Sequence, residues 1–135
     1  ENSITEEYIN GVLQRLAADE LISFQSDSSS PYVKKFRTVQ HLCKSIGGRV
    51  SQSLVARFGS SRIVTQMLAP RLLSELHPTP AVCGQPRDAS FRVIREREGF
   101  DRGWYAGPFG VLSRDAVDMS VAIRTMRGER GASGA

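Results

Sequence analysis

The sequence predicts an α+β domain in which helices pack against an antiparallel sheet. Three observations lead to this fold class. Apolar residues recur at helical spacing through residues 2–18, a proline-started amphipathic segment occupies 86–99, and two strand-like runs at 104–113 and 118–126 are joined by a short polar turn. Strands joined so closely pair antiparallel, and the helices are then left to cover one face of the sheet.

The first helix is predicted over residues 2–18. Glu6 and Glu7 stand in its early turns, where the helix dipole favours negative charge. After a serine-rich loop at 26–31, residues 34–42 predict a single strand that runs toward a glycine pair. The apolar face of the helix consists of residues spaced three or four apart: Ile4, Tyr8, Ile9, Val12, Leu13 and Leu16.

Prolines delimit the helices in the middle of the chain. Residues 51–64 show no clear period and predict an exposed loop, after which Pro70 occupies the first turn of a leucine-rich helix. Pro78 ends that helix because a proline cannot continue it, and Pro86 begins another that ends before a glycine. Residues 128–135 contain no apolar side chain larger than alanine and are expected to form a disordered tail.

The charge pattern argues against two classes of partner. The 135 residues carry a net charge of +4, but the arginines of residues 86–102 alternate with aspartate and glutamate, as on a solvated helix face. No apolar run approaches the roughly 20 residues that a membrane helix needs. We expect neither nucleic acid nor a membrane as a partner, although the mild positive balance by itself fits nucleic acid and a small dianionic substrate equally well.

Two cysteines, Cys43 and Cys83, are too few for a disulfide framework, which predicts a reducing, intracellular location. Together with His41 and His77 they could form a four-ligand zinc site. Their spacing fits no usual ligand pattern, so we expect inert thiols and no zinc.

Single polar residues are the remaining candidates for function, since the sequence contains no glycine-rich phosphate loop and no nucleophile elbow. Arg124 is either an exposed side chain or a fork that binds a carboxylate through two hydrogen bonds. Tyr105 is either a packed aromatic residue or a hydroxyl donor, and His41 alone would be a satisfied core histidine. The complete set of such residues is Glu1, His41, Thr79, Tyr105 and Arg124.

Three motifs occur in a fixed order along the chain: LHPTPAVCG at 76–84, FDRGWYAGPFG at 100–110 and VAIR at 121–124. Together they resemble isochorismate synthases, within the chorismate-utilising family that also contains anthranilate and salicylate synthases. TVQHL at 38–42 is similar to the family's histidine-bearing strand, and ENSITEEYINGVL at 1–13 resembles its metal-binding helix. The resemblance implies an anthranilate synthase component I-like fold, with a partial chorismate-binding domain at 1–127.

The resemblance also implies a site for chorismate. Glu1 would bind Mg²⁺, His41 would contact the cyclohexadiene ring, and Tyr105 with Arg124 would hold the pyruvyl carboxylate. The implied reaction is the Mg²⁺-dependent isomerisation of chorismate to isochorismate, in the route to menaquinone, phylloquinone or salicylate. A dianion needs a bidentate cation for one carboxylate and a hard metal for the other, which agrees with these roles.

His-Pro-Thr-Pro at 77–80 would form a stiff wall of the substrate pocket, because the prolines fix the backbone before the substrate binds. His77 and Thr79 would contact the substrate from this wall. Ala81 stands where anthranilate- and salicylate-forming relatives tend to carry threonine, which favours isochorismate as the product. We therefore expect three side chains to converge on one cavity walled by residues 77–83, those of His41, Tyr105 and Arg124, with Arg124 at least partly buried.

The family's lysine base and glutamate acid lie upstream of its metal-binding helix. We therefore expect no catalytic residue within this chain and no activity of the chain by itself. Two alternatives stay open: another chorismate enzyme, namely salicylate or anthranilate synthase, and a non-catalytic binding module. The expected compartment is the plastid in a plant or alga and the cytoplasm in a bacterium, and the sequence does not predict the oligomeric state.

Overall fold

Helices and small antiparallel strand pairs make up the protein in a computed structural model that describes residues 2–24, 29–113 and 116–126. This composition agrees with the predicted α+β class. The helices are α1 Asn2–Ala18, α2 Gln52–Phe58, α3 Ser61–Leu76 and α4 Arg87–Arg97. The strands are β1 Ile22–Ser23, β2 Tyr32–Lys35, β3 Gln40–Cys43, β4 Arg49–Val50, β5 Pro108–Leu112 and β6 Val117–Val121.

The core lies between α1 and α3. The predicted helix is confirmed, since α1 has the predicted bounds and buries Val12, Leu13 and Leu16, whereas Ile4 near its start is exposed. An ion pair of 2.7 Å between Arg71 and Asp19 also joins the two helices, but both side chains are about half exposed and the pair adds little. The buried residues of this core are Val12, Leu13, Leu16, Ile22, Val64 and Leu68.

The loop predicted at 51–64 and the helix start predicted at Pro70 are wrong. Residues 52–58 form α2, Gly59 turns the chain with a positive φ of 75°, and α3 begins at Ser61 and contains Pro70 in its interior. The Ser60 side chain caps α3 by accepting a hydrogen bond from the Arg62 amide at 3.2 Å. The helix tolerates Pro70 because the buried side chains of Val64 and Leu68 anchor it on the core. Its predicted end before Pro78 is confirmed.

Residues 34–42 form a hairpin and not the single strand that was predicted. The amide of Phe36 donates to Val39 at 2.8 Å and closes the turn between β2 and β3. The predicted antiparallel pairing of the C-terminal strands is confirmed for β5 and β6, with Phe109 opposite Ser120. β1 pairs with β4 in the same sense. The described strands therefore form three separate two-stranded sheets, where one sheet was predicted.

The remaining predictions concern single elements. α4 starts directly after Pro86 and ends before Gly99, as predicted. The tail expected at 128–135 lies outside the described residues. None of the described helices is both long enough and apolar enough to span a membrane.

Candidate functional site

Residues 77–83, called here the wall segment, follow α3 directly. The amides of Val82 and Cys83 both donate to the Thr79 carbonyl at 3.1 Å, so the segment folds back on itself in a tight turn. His77 and Thr79 are half-buried, whereas Ala81 is exposed. The segment predicted as a stiff wall therefore forms a compact turn that is closed by the two hydrogen bonds to the Thr79 carbonyl.

A cavity of about 510 Å³ lies beside this segment. His77 and Thr79 line it together with the second half of α3 and the β5–β6 hairpin. Most of the lining is apolar, contributed by residues such as Leu72, Leu73 and Val121, and no arginine or lysine of the described chain lines it. The cavity alone therefore lacks the cation that a carboxylate-bearing ligand requires.

Tyr105 and Arg124 lie in the two segments that flank the open end of the β5–β6 hairpin. The Ala106 amide donates to Ala122 at 2.9 Å, and the Ala122 amide donates to Gly107 at 2.8 Å, which brings the two flanking segments together. Arg124 is exposed, although we expected it to be partly buried. The reason is that β6 ends at Val121 and Arg124 has a left-handed backbone with φ of 54°, so it does not continue the strand.

His41 lies in a different hairpin. It is paired with Lys34 across β2 and β3, and its ring packs edge-on against Phe36 with 5.7 Å between the ring centres. Among the expected residues that the structure describes, only His77 and Thr79 line the cavity. The predicted convergence of His41, Tyr105 and Arg124 on one cavity is therefore not observed.

Two arginines that the sequence analysis assigned to a solvated face hold the wall segment. Arg87 donates to the His77 carbonyl at 2.9 Å, and Arg102 donates to the Val82 carbonyl at 3.0 Å. Arg102 is also bound by both carboxylate oxygens of Glu98, with 2.6 Å between Nε and Oε2. The assignment to a solvated face is wrong for these two residues, which are partly buried. Both Glu98 and Arg102 lie beyond the end of α4, so the available signal in the sequence was only that an acid and an arginine stand four residues apart.

The surroundings lower the pKa values of two groups, His77 in the wall segment and Glu98 beside Arg102. Burial lowers the pKa of His77, and the nearby Arg87 lowers it further by repelling the imidazolium. The hydrogen bond from Arg102 lowers the pKa of Glu98. His77 is therefore neutral near pH 7 and can both donate and accept a hydrogen bond at the cavity surface.

The expected magnesium ligand, Glu1, lies outside the described residues. Within residues 2–24, 29–113 and 116–126, no three of the histidine, cysteine, aspartate and glutamate side chains come together in a group that could hold a metal ion.

Comparison with known proteins gives a consistent result. The family model described as chorismate binding enzyme matches residues 1–130. The chain is 41% identical over 97 residues to the salicylate biosynthesis isochorismate synthase of Pseudomonas aeruginosa, which is 71% of this chain and 18% of that protein. It is 41% identical over 93 residues to the chloroplastic isochorismate synthase of Catharanthus roseus, 69% of this chain and 14% of that protein.

A third relative is the isochorismate synthase MenF of Haemophilus influenzae, 36% identical over 99 residues, which is 73% of this chain and 20% of that protein. No solved structure matches the chain. The matched regions thus span a fifth or less of the length of these three relatives.

Proposed function

Since this chain belongs to the family of chorismate binding enzymes, we propose that residues 1–127 are the chorismate-binding part of an isochorismate synthase. The three relatives described above are all named isochorismate synthases, from two bacteria and a plant. The proposed reaction adds water to chorismate at C2 as the C4 hydroxyl leaves. The proposed location is the cytoplasm of a bacterium or the plastid of a plant.

One observation carries this proposal: the backbone pairing at Ala106 and Ala122 brings Tyr105 and Arg124 to the same end of the β5–β6 hairpin. An exposed guanidinium is free to bind a carboxylate through two charge-assisted hydrogen bonds. The Tyr105 hydroxyl would add a third. We assign the pyruvyl carboxylate of chorismate to this pair.

The wall segment would contact the rest of the substrate. His77 and Thr79 present polar groups beside an otherwise apolar surface, which suits a ring that carries one hydroxyl. Ala81 would leave the space that a threonine occupies in salicylate- and anthranilate-forming relatives. His41 lies in the β2–β3 hairpin and would contact the ring only after that hairpin moved toward the wall segment.

This chain would contribute recognition and orientation of the substrate. Glu1 is a proposed oxygen ligand of Mg²⁺, but the described residues form no metal-binding cluster to complete the site. The side chains named above would hold the pyruvyl end and one face of the ring. Held in this way, the reacting carbons would be oriented toward catalytic groups that other parts of a full-length enzyme contribute.

A chimera tests the proposal. The matching 97-residue region of the Pseudomonas aeruginosa relative is replaced by the corresponding residues of this chain, and the products formed from chorismate are separated by chromatography. We expect isochorismate as the product. Arg124→Ala should raise KM by about tenfold or more, because a hydrogen bond to a charged group contributes about 1.5–3 kcal/mol. Arg92→Ala is the matched control, since Arg92 is exposed on α4 and should not change KM.

The outcomes separate the alternatives. Salicylate or anthranilate as the main product would assign the chain to another chorismate enzyme. A folded chimera that binds chorismate without converting it would favour the non-catalytic binding module. An unchanged KM in Arg124→Ala would remove Arg124 from the substrate site.

A further inference from the structure

Arg102 connects two parts of the candidate site that are otherwise separate in sequence. Its side chain reaches the wall segment, where Nη1 donates to the Val82 carbonyl at 3.0 Å. Its own carbonyl accepts a hydrogen bond from the Tyr105 amide at 2.8 Å. A single residue therefore contacts both the turn centred on Thr79 and the turn that carries Tyr105.

The Arg102 side chain is held in one orientation. Glu98, just after the end of α4, binds it through both carboxylate oxygens, and the two side chains are only 28% and 27% exposed. The following turn is also fixed, because Asp101 accepts a hydrogen bond from the Gly103 amide at 2.8 Å. A two-point interaction at this level of burial restricts the guanidinium far more than a surface pair would.

The hydrogen bonds continue from Arg102 to Thr79. Val82 accepts from Arg102 through its carbonyl, and its amide donates to the Thr79 carbonyl at 3.1 Å. The guanidinium therefore sets the position of Val82, and Val82 sets the position of Thr79. Loss of the first hydrogen bond would leave the Val82 carbonyl without that donor and loosen the turn.

We propose that Arg102 is a positioning residue that locks the wall segment to the turn carrying Tyr105, so that Thr79 and Tyr105 are presented as one preformed surface. Its effect on chorismate rests on the proposed function. Preforming the surface lowers the ordering cost of binding, and loss of the lock raises KM more than it lowers kcat.

Amide hydrogen exchange in the 135-residue chain tests the lock without any substrate. In Arg102→Ala we expect exchange at the Val82 and Cys83 amides to become at least about tenfold faster, the factor that corresponds to losing roughly 1.4 kcal/mol of local stability. Arg92→Ala is the control and should leave both amides unchanged, because Arg92 is exposed and has no hydrogen-bond or ion-pair partner among the described residues.

A charge swap separates positioning from a merely structural ion pair. The double variant Glu98→Arg, Arg102→Glu keeps an acid and a base four residues apart but removes the donor at position 102. Amide exchange at Val82 and Cys83 should be as fast in the charge-swap variant as in Arg102→Ala. In Arg102→Lys, which keeps one donor, exchange should slow part of the way toward the rate of the unmodified chain. Unchanged exchange in Arg102→Ala, or full restoration by the swap, would overturn the proposal.

The effect of Arg102 on function is measured in the chimera described above, as KM and kcat for chorismate. Arg102→Lys should raise KM for chorismate about five- to tenfold while kcat stays within about twofold. An unchanged KM would overturn the coupling to the substrate. If the unmodified chimera makes no isochorismate, the proposed function fails, and the exchange measurements still decide whether Arg102 locks the two turns.

Discussion

Replacing Gly110 with alanine should open the β5–β6 hairpin. Gly110 is paired with Met119, and a Cβ added to it would overlap the Asp118 carbonyl oxygen and lie 2.8 Å from the Met119 Cα. Ordinary contacts begin near 3.4 Å, so the Met119 contact alone requires about 0.6 Å of separation and the closer Asp118 oxygen requires more, at overpacking costs of about 1–3 kcal/mol. Amide exchange in the hairpin should accelerate by roughly 5- to 150-fold.

Amide exchange at residues 109–112 and 117–121, followed by NMR, measures this effect directly, since Pro108 has no amide hydrogen. Gly47→Ala is the matched control, because no atom lies within 4 Å of its added Cβ. There the same substitution should be neutral or stabilise the fold by up to about 1 kcal/mol, since alanine restricts the unfolded chain. If the hairpin amides of Gly110→Ala exchanged as slowly as those of the unmodified chain, the predicted clash would be refuted.

Two further predictions concern stability. Leu16→Ala should lower the free energy of unfolding by about 3–5 kcal/mol because Leu16 is 1% exposed. Leu42→Ala should lower it by less than about 1 kcal/mol because Leu42 is 56% exposed. Equal losses of the two variants in urea unfolding would contradict the assigned core. The pKa of His77 lies below 6.5 because of burial and Arg87, so the unfolded chain takes up the proton first and stability falls as the pH drops below about 6.5. In His77→Gln, the free energy of unfolding measured by urea titration should fall less steeply between pH 7 and pH 5. An unaltered dependence on pH would show that His77 does not cause the decline.

The helices show what local sequence can and cannot predict. α1 was predicted to within a residue because its apolar residues recur at helical spacing, although neither Glu6 nor Glu7 lies in its first turn. The first half of α3 was missed because Pro70 was taken as a helix start, although Val64 and Leu68 already stand four residues apart on the buried face. The tertiary packing of that face outweighed the local rule for proline.

The candidate site was predicted unevenly for a related reason. His77 and Thr79 belong to a rigid local motif and line the cavity beside α3, and their contact with a substrate stays a prediction. Arg102 was assigned to a solvated face because alternating charges look alike in sequence whether they face water or a backbone carbonyl. The exposure of Arg124 depends on where β6 ends, and strand ends are among the least predictable features of a sequence.

The β5–β6 hairpin has a further consequence for how the protein behaves in concentrated solution. Both strand edges are unpaired among the described residues, and Phe109 and Val111 are 67% and 66% exposed. β2 carries Lys34 and Lys35, whose like charges oppose stacking against another copy, but β5 carries no charge at all. Self-association into intermolecular β-structure should therefore nucleate at β5, grow with concentration in light scattering, and slow when Phe109→Lys places a gatekeeper charge on that edge.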